Sequence, residues 1–471
     1  MASTSIARRH LRWLAFVLAS LAPVVFVTPL IAQDAPPPSQ APFAARRLPS
    51  ASIVSSRVDE YVRPYLAMCA FSGTILIARH GHIVLSRGYG LADLDRRIPA
   101  TPRTRYGIGS ITKTMTAAAV ELLAREGRLT LNDAVSKYLP GFAHGDSVTI
   151  VTLLAHSSGL KDYYSWPAYA AGRTAPISRD DFLAHVQAAP LEFAAGTRSA
   201  YSNSGYFVLA AIIERVSGMS YAEFVERRLF RPLGMTASGV LRDGNVVRDL
   251  AIGYDPGFPP SHLQPASPVS ATWLEGSGSV YSTATDLYRW IEGIRSHFPV
   301  SVDSLPYPYG WGKRTRFGRN ILEQNGRVPI GYTSYAGLYP DDDIVVVVLS
   351  NIQADVTEQM GTDLGAIALG QPYALPAVRP RPTTRADSTA FGVYAGRYQI
   401  APGFVLTVRA VAQGLLLAGP DGAFLPLDQE GQDHFFFRPL FVPIIFERDT
   451  SGSIRGLDWN GQFKAQRLAS P

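Results

Sequence analysis

A serine stands three residues ahead of a lysine at the head of a helical pattern, in Gly107-Ile108-Gly109-Ser110-Ile111-Thr112-Lys113-Thr114-Met115-Thr116-Ala117. Met115, Ala118, Val120, Leu122 and Leu123 recur at helical spacing, Glu121 and Arg125 form an i,i+4 pair, and Gly127 ends the segment. Residues three apart share a helix face, so the lysine amine can lie beside the serine hydroxyl. A serine hydroxyl is a poor nucleophile until a neighbour takes its proton. A lysine can take it only where burial or nearby positive charge lowers its pKa. The pattern therefore asks for a lysine held out of water at the head of this helix. The helix N-terminus also directs free N–H groups toward the serine, where an oxyanion would form. Alone, Ser-x-x-Lys is a weak signal that arises by chance on many helices.

A second element, Ser199-Ala200-Tyr201-Ser202-Asn203-Ser204-Gly205-Tyr206, precedes an apolar helical run from Phe207 to Val216. Two readings stand side by side. Serine and asparagine favour helix starts, which makes this a capping turn. The order and wide separation of the two elements make Tyr201 and Asn203 partners of Ser110 and Lys113 in one site.

Further phrases follow in a fixed order. They are Gly88-Tyr89-Gly90-Leu91-Ala92-Asp93, then Leu153-Leu154-Ala155-His156-Ser157-Ser158-Gly159-Leu160, Arg231-Pro232-Leu233-Gly234-Met235, Ser282-Thr283-Ala284-Thr285-Asp286-Leu287 and Val345-Val346-Val347-Val348-Leu349-Ser350-Asn351. With the two elements above, they make the chain resemble the serine β-lactamase-related family over roughly residues 52–370. The branch it resembles holds class C β-lactamases, D-aminopeptidases, penicillin-binding carboxypeptidases and related esterases. The resemblance implies an α+β fold of the β-lactamase/transpeptidase type: an antiparallel sheet flanked by helices, a helical subdomain, and a cleft between them. It implies Ser110 as nucleophile, Lys113 and Tyr201 as the groups that move protons, and Asn203 as a hydrogen-bonding partner of the substrate carbonyl. His156 belongs to a phrase that the family uses structurally.

The third family element is where the chain departs. The family has Lys-Thr-Gly or His-x-Gly on a strand shortly before a Gly-Phe/Tyr-x-Ser turn; here the turn reads Gly331-Tyr332-Thr333-Ser334, preceded by Gln324-Asn325-Gly326-Arg327. Gly326 fits the motif glycine, which lets a substrate backbone approach closely. Gln324 then holds the lysine or histidine place without its charge, which weakens recognition of a substrate carboxylate. Arg327, one position on, is a candidate to restore the cation. By family analogy the N–H groups of Ser110 and Arg327 form the oxyanion hole.

Of the 471 residues, 46% are hydrophobic and 17% charged, which suits a packed globular chain of two or three domains. Arg8, Arg9 and Arg12 precede an apolar run from Trp13 to Ile31, and Ala32 follows it. This has the form of a secretory signal over residues 1–33, with export to the periplasm or the extracellular space. An uncleaved anchor is the competing reading, and Arg8-Arg9 hints at a twin-arginine route. Removing this segment lowers the net charge of +6 by three, so the basic balance is partly a targeting feature and no basic stripe suggests nucleic acid. Cys69 is the single cysteine, which excludes an intramolecular disulfide; beside the apolar run Ala70 to Ala78 it reads as a small core residue.

Residues 34–51 read as a Pro/Ala-rich linker, 52–370 as the hydrolase domain and 371–388 as a second linker. Residues 74–89 read as a hairpin turning at His80-Gly81-His82, 284–297 as a helix capped by Ser282 or Thr283, 320–351 as strands and 355–369 as a helix. Beyond the second linker the period changes to two. Runs such as Val405-Leu406-Thr407-Val408 and Pro443-Ile444-Ile445-Phe446, with turn pairs Asp421-Gly422, Ser451-Gly452 and Asn460-Gly461, predict a small antiparallel barrel or curved sheet over 389–471. His80 and His82 lack the companions of a metal site. No cofactor or metal is called for. The expected partner is a small-molecule or peptide substrate, with membrane contact only through an uncleaved N-terminal segment; nothing in the pattern sets an oligomeric state. The expected activity is acyl transfer through an acyl-enzyme on an ester, amide or β-lactam carbonyl. The alternative is a penicillin-binding sensor that is acylated without turnover.

Overall fold

The computed structural model describes residues 48–256, 263–296, 310–376 and 388–469, apart from 402–403, 412–413, 420–423, 438–441, 460 and 462. The arginine-led apolar run, most of the second linker, Tyr309 and the Asp421-Gly422 pair therefore lie outside the described residues. Among the described residues no helix is long and apolar enough to cross a membrane.

Ser50 caps the first helix, α1 (Ala51–Ala67), by accepting from the Ile53 N–H at 3.3 Å. The hairpin follows as β1 (Gly73–Arg79) and β2 (His82–Tyr89). Between α1 and β1 the sequence expectation for Cys69 fails. The residue sits at φ 53° in the turn that ends the helix, partly exposed and outside the strand. The run of apolar residues after it suggested a strand start, but the Cys69 and Ala70 N–H groups are taken by carbonyls of the last helical turn.

A 3-10 turn over Gly109–Ile111 leads into α2 (Thr112–Arg125); α3 (Asn203–Ser217) and α4 (Ala284–Ser296) come later, with shorter helical turns between. Thr283 caps α4, its hydroxyl accepting from Asp286 N–H at 3.1 Å. The remaining strands are β3 (Gly312–Arg316), β4 (Arg319–Val328), β5 (Tyr332–Tyr339) and β6 (Ile344–Ser350), and α5 (Thr357–Leu369) closes this part. Tyr332, Thr333 and Ser334, expected in a turn, lie in β5.

The six strands pair antiparallel throughout in the order β3-β4-β5-β6-β1-β2, so the first hairpin completes a sheet whose other strands come more than two hundred residues later. β1 and β6 are apolar at nearly every position because they are central strands covered on both faces. Leu76, Val345, Val347 and Leu349 pack toward α2, α3 and α4, while Ile75, Ile77, Val346 and Val348 pack toward α1 and α5. The sheet thus divides two hydrophobic cores, and each strand position belongs to one or the other by its parity. α2 is buried nearly all round in the first core. Its threonines are satisfied there: Thr112 Oγ1 accepts from Val280 N–H at 3.1 Å, and Thr114 Oγ1 from the Trp290 indole at 2.9 Å.

The C-terminal strands form a closed antiparallel barrel of eight: β7 (Gly396–Ala401), β8 (Phe404–Val411), β9 (Gly414–Ala418), β10 (Leu425–Gly431), β11 (His434–Phe437), β12 (Val442–Arg448), β13 (Ile454–Trp459) and β14 (Phe463–Arg467). Side chains including Tyr398, Leu406, Phe437, Phe446 and Trp459 fill its interior. Phe446 lies 2% exposed and meets Tyr394, Tyr398 and Phe435 ring to ring. Phe446→Ala is expected to destabilise the barrel by about 3–5 kcal/mol, the range for emptying an aromatic core position. Chemical denaturation followed by tryptophan fluorescence measures it, and a loss below about 1 kcal/mol would contradict this packing.

Candidate active site

Ser110 lies in the 3-10 turn just ahead of α2, and Lys113 one turn on. Gly109 makes the approach: its φ is +54°, and a side chain there would collide with the backbone of Arg327 on β4. The nucleophile candidate is therefore pressed against the strand that carries the third element. Ser110 and Tyr201 are partly exposed, while Lys113 and Asn203 are buried.

The four residues converge from two segments, and a third brings the Ser277 carbonyl to them. Tyr201 OH lies 2.6 Å from Ser110 Oγ. Lys113 Nζ lies 3.1 Å from Ser110 Oγ, 2.7 Å from Asn203 Oδ1 and 2.8 Å from the Ser277 carbonyl. The amine also sits 4.8 Å from the centre of the Tyr201 ring and 5.5 Å from that of Tyr206. Both readings of the second element hold at once. Ser202 caps α3 by accepting from Gly205 N–H at 3.2 Å, and the cap fixes Tyr201 and Asn203 on either side of it.

Burial pushes the Lys113 amine down to about 7, against a smaller upward pull from the Asp162 carboxylate. Asp162 accepts from both the backbone N–H and the side-chain amide of Asn203, at 2.7 and 2.8 Å. Those bonds turn Asn203 Oδ1 toward Lys113. In its neutral form the amine has two hydrogens and a lone pair. Asn203 Oδ1 and Ser277 O can only accept, so the hydrogens go to them and the lone pair faces Ser110 Oγ.

His156 makes no bond to Ser110. Its Nδ1 accepts from Ser202 N–H at 3.1 Å and its ring lies 4.4 Å from that of Tyr201. Burial, with the Lys113 charge as a second cause, drives it down to about 3, so it stays neutral. It buttresses the Tyr201 segment, in line with the structural role expected of its phrase.

Strand parity sorts the third element. Leu322 and Val328 pack in the core of α2, and a side chain at Gly326 would strike Ile108 O and Ser334 Oγ, so Gln324 and Gly326 share the face of Ser110. Arg327 lies on the other face and pairs with Asp355 at 2.5 Å. The expectation that its guanidinium restores the cation is corrected: a residue one step from Gly326 must point through the sheet. Only the Arg327 backbone reaches the site. Residue types alone did not reveal Asp162 or Ser277. Asp162 looked like an ordinary loop acid two residues past the Ser158-Gly159-Leu160 phrase, and Ser277 contributes a carbonyl that any residue has. Ser277 lies in the aromatic and glycine-rich stretch from Trp273 to Ser279. Trp311 is buried in the first core. Among the described residues no group of three or more His, Cys, Asp or Glu is arranged to hold a metal.

The Beta-lactamase family profile matches residues 58–369, most of the chain and all of the sheet. The chain belongs to the Beta-lactamase family. Penicillin-binding protein 4* of Bacillus subtilis (strain 168) is 30% identical over 410 residues, covering 80% of this chain and 90% of that protein. The crystal structure of FmtA from Staphylococcus aureus aligns with a TM-score of 0.57 at 26% identity, over 69% of this chain and 90% of that one. The octameric penicillin-binding protein homologue from Pyrococcus abyssi aligns over 87% of this Beta-lactamase family chain and 99% of its own, with a TM-score of 0.60. At 24% identity that likeness is one of fold.

Asp162→Asn removes a negative neighbour that favours the ammonium, so the Lys113 midpoint should fall below about 7. A pH titration of 13Cε-labelled lysine by NMR reads this. A midpoint that stays or rises in Asp162→Asn would contradict the electrostatic arrangement.

Proposed function

We propose that the chain is an exported serine hydrolase that works through an acyl-enzyme. The observation that carries this reading is the buried Lys113 amine 3.1 Å from Ser110 Oγ, with Tyr201 OH on the same oxygen at 2.6 Å. Ser110 Oγ attacks the substrate carbonyl carbon as its proton passes to Lys113 Nζ. The carbonyl oxygen becomes an oxyanion held by the N–H groups of Ser110 and Arg327. The bond to the leaving group breaks, and Tyr201, in contact with the same oxygen, passes the proton on to that group. Water then attacks the acyl carbon with the roles reversed, releasing the acid and restoring Ser110. Asn203 and Gln324 orient the substrate. Export rests on the form of residues 1–33.

Turnover of p-nitrophenyl esters, nitrocefin and D-amino-acid amides tests the reading. Ser110→Ala should abolish hydrolysis, and Lys113→Ala should lower kcat/KM on the order of 10³-fold, as loss of one member of a catalytic unit does. Because only the neutral amine can take the proton, kcat/KM should rise with pH through a midpoint near 7 and stay low below it. Ser110-independent turnover would overturn the assignment. Stoichiometric labelling by a fluorescent penicillin with no product release would favour the sensor instead.

A further inference from the structure

We propose, on the reading of the site as a serine hydrolase's, that it takes acyl substrates whose leaving portion is uncharged. These are neutral esters, thioesters and amides, rather than compounds with a carboxylate beside the scissile bond. The argument is a census of charge on the cleft face of β3 and β4. Gln324 is the side chain of β4 that stands next to Gly326 on that face; it is 9% exposed, and its amide donates to Asn325 O at 3.2 Å. A carboxylate brought against it would leave water and gain a neutral hydrogen bond, without the charge-assisted partner that offsets desolvation.

The nearby cations are committed elsewhere. Arg327 is held by Asp355 on the opposite face. Arg314 and Arg316 face that side too, both on the buried carboxylate of Glu323 at 2.9 Å. Crossing the sheet would require a one-residue slip of the strand, which would expose Leu322 and Val328. The Lys113 amine is held between Asn203, Ser277 and Ser110, with the Asp162 carboxylate behind Asn203. Lys313 does share the cleft face, since it pairs with Leu322. It stands on the exposed edge strand, one inward-facing pair further from Gly326 than Gln324, where water and salt screen its charge.

The experiment compares hippuryl thioglycolic acid with its methyl ester, which share the acyl group and the thiol leaving atom and differ only in the carboxylate. Attack by Ser110 forms an acyl ester and breaks the carbon–sulfur bond, and the thiol leaves with the proton and is read with a chromogenic disulfide. The wild-type chain should prefer the methyl ester in kcat/KM by about tenfold or more. Gln324→Lys should narrow that ratio by raising turnover of the acid, whereas Lys313→Ala should leave it within about twofold. A wild-type preference for the acid, or equal turnover, overturns the proposal. So does a folded Gln324→Lys with an unchanged ratio, or a Lys313→Ala that selectively loses the acid. If Gln324→Lys does not fold, the wild-type ratio alone decides. Release that survives Ser110→Ala, or no release from either thioester, overturns the hydrolase assignment beneath it. Ser110-dependent release with the wrong preference overturns only the charge argument.

Discussion

The structure turns on one buried amine. An ammonium moved out of water costs several kcal/mol even after the protein relaxes around it. Lys113 answers that cost partly by losing its proton near pH 7 and partly by meeting three oxygens. Those oxygens belong to the turn before α2, the start of α3 and the loop before α4. None is near another in sequence, and only Ser110 is near Lys113. The demand for acceptors at one point therefore fixes how the helical region is threaded against the sheet.

Each of the three segments is held by something behind it. Asn203 is set by Asp162, and Tyr201 by His156, whose own backbone sits at φ 55°. The Ser277 loop is braced by Glu275, which takes both oxygens to the Arg179 guanidinium at 2.8 and 2.9 Å. Gly109 and Gly276 adopt positive φ on either side of Lys113. Left-handed backbone at a non-glycine residue such as His156 persists only where packing over-determines it. Here the rings of Tyr201 and Tyr206, 4.4 and 5.1 Å from the His156 ring, pack against the residue.

Much of this was legible in the sequence, and what was not has a physical reason. The period-two pattern after residue 389 became a closed barrel because alternation reports a one-sided interior directly. The Ser-x-x-Lys spacing placed two groups on one face because helix geometry is local. The pairing of β1 with β6 joins Gly73 to Ser350, and no local rule carries that information; it came only through resemblance to a family. Arg327 was ambiguous because parity on β4 cannot be set until a neighbour such as Ile108 shows which face Gly326 takes. Asp162 and Ser277 act through position rather than residue type. Cys69 was misplaced because an apolar run does not show where a helix stops and a strand begins.

The same amine ties stability to pH, and the sign follows from its protonation in the two states. An unfolded lysine keeps its proton up to the ordinary value of 10.5, whereas folded Lys113 releases it near 7. Between those values the unfolded chain binds more protons, so this group's contribution to stability rises with pH across that window. Below about 7 the folded chain must carry a buried ammonium, and the full penalty stands. The conditions that leave the amine able to accept a proton are thus those in which it burdens the fold least. The two cores on either side of the sheet offset that burden with apolar burial remote from the site. The cleft face of β4, with Leu322, Gln324, Gly326 and Val328, brings no charge beside the amine; a second cation there would hold the Lys113 pKa lower still, and a second carboxylate would raise it and take the lone pair away from Ser110.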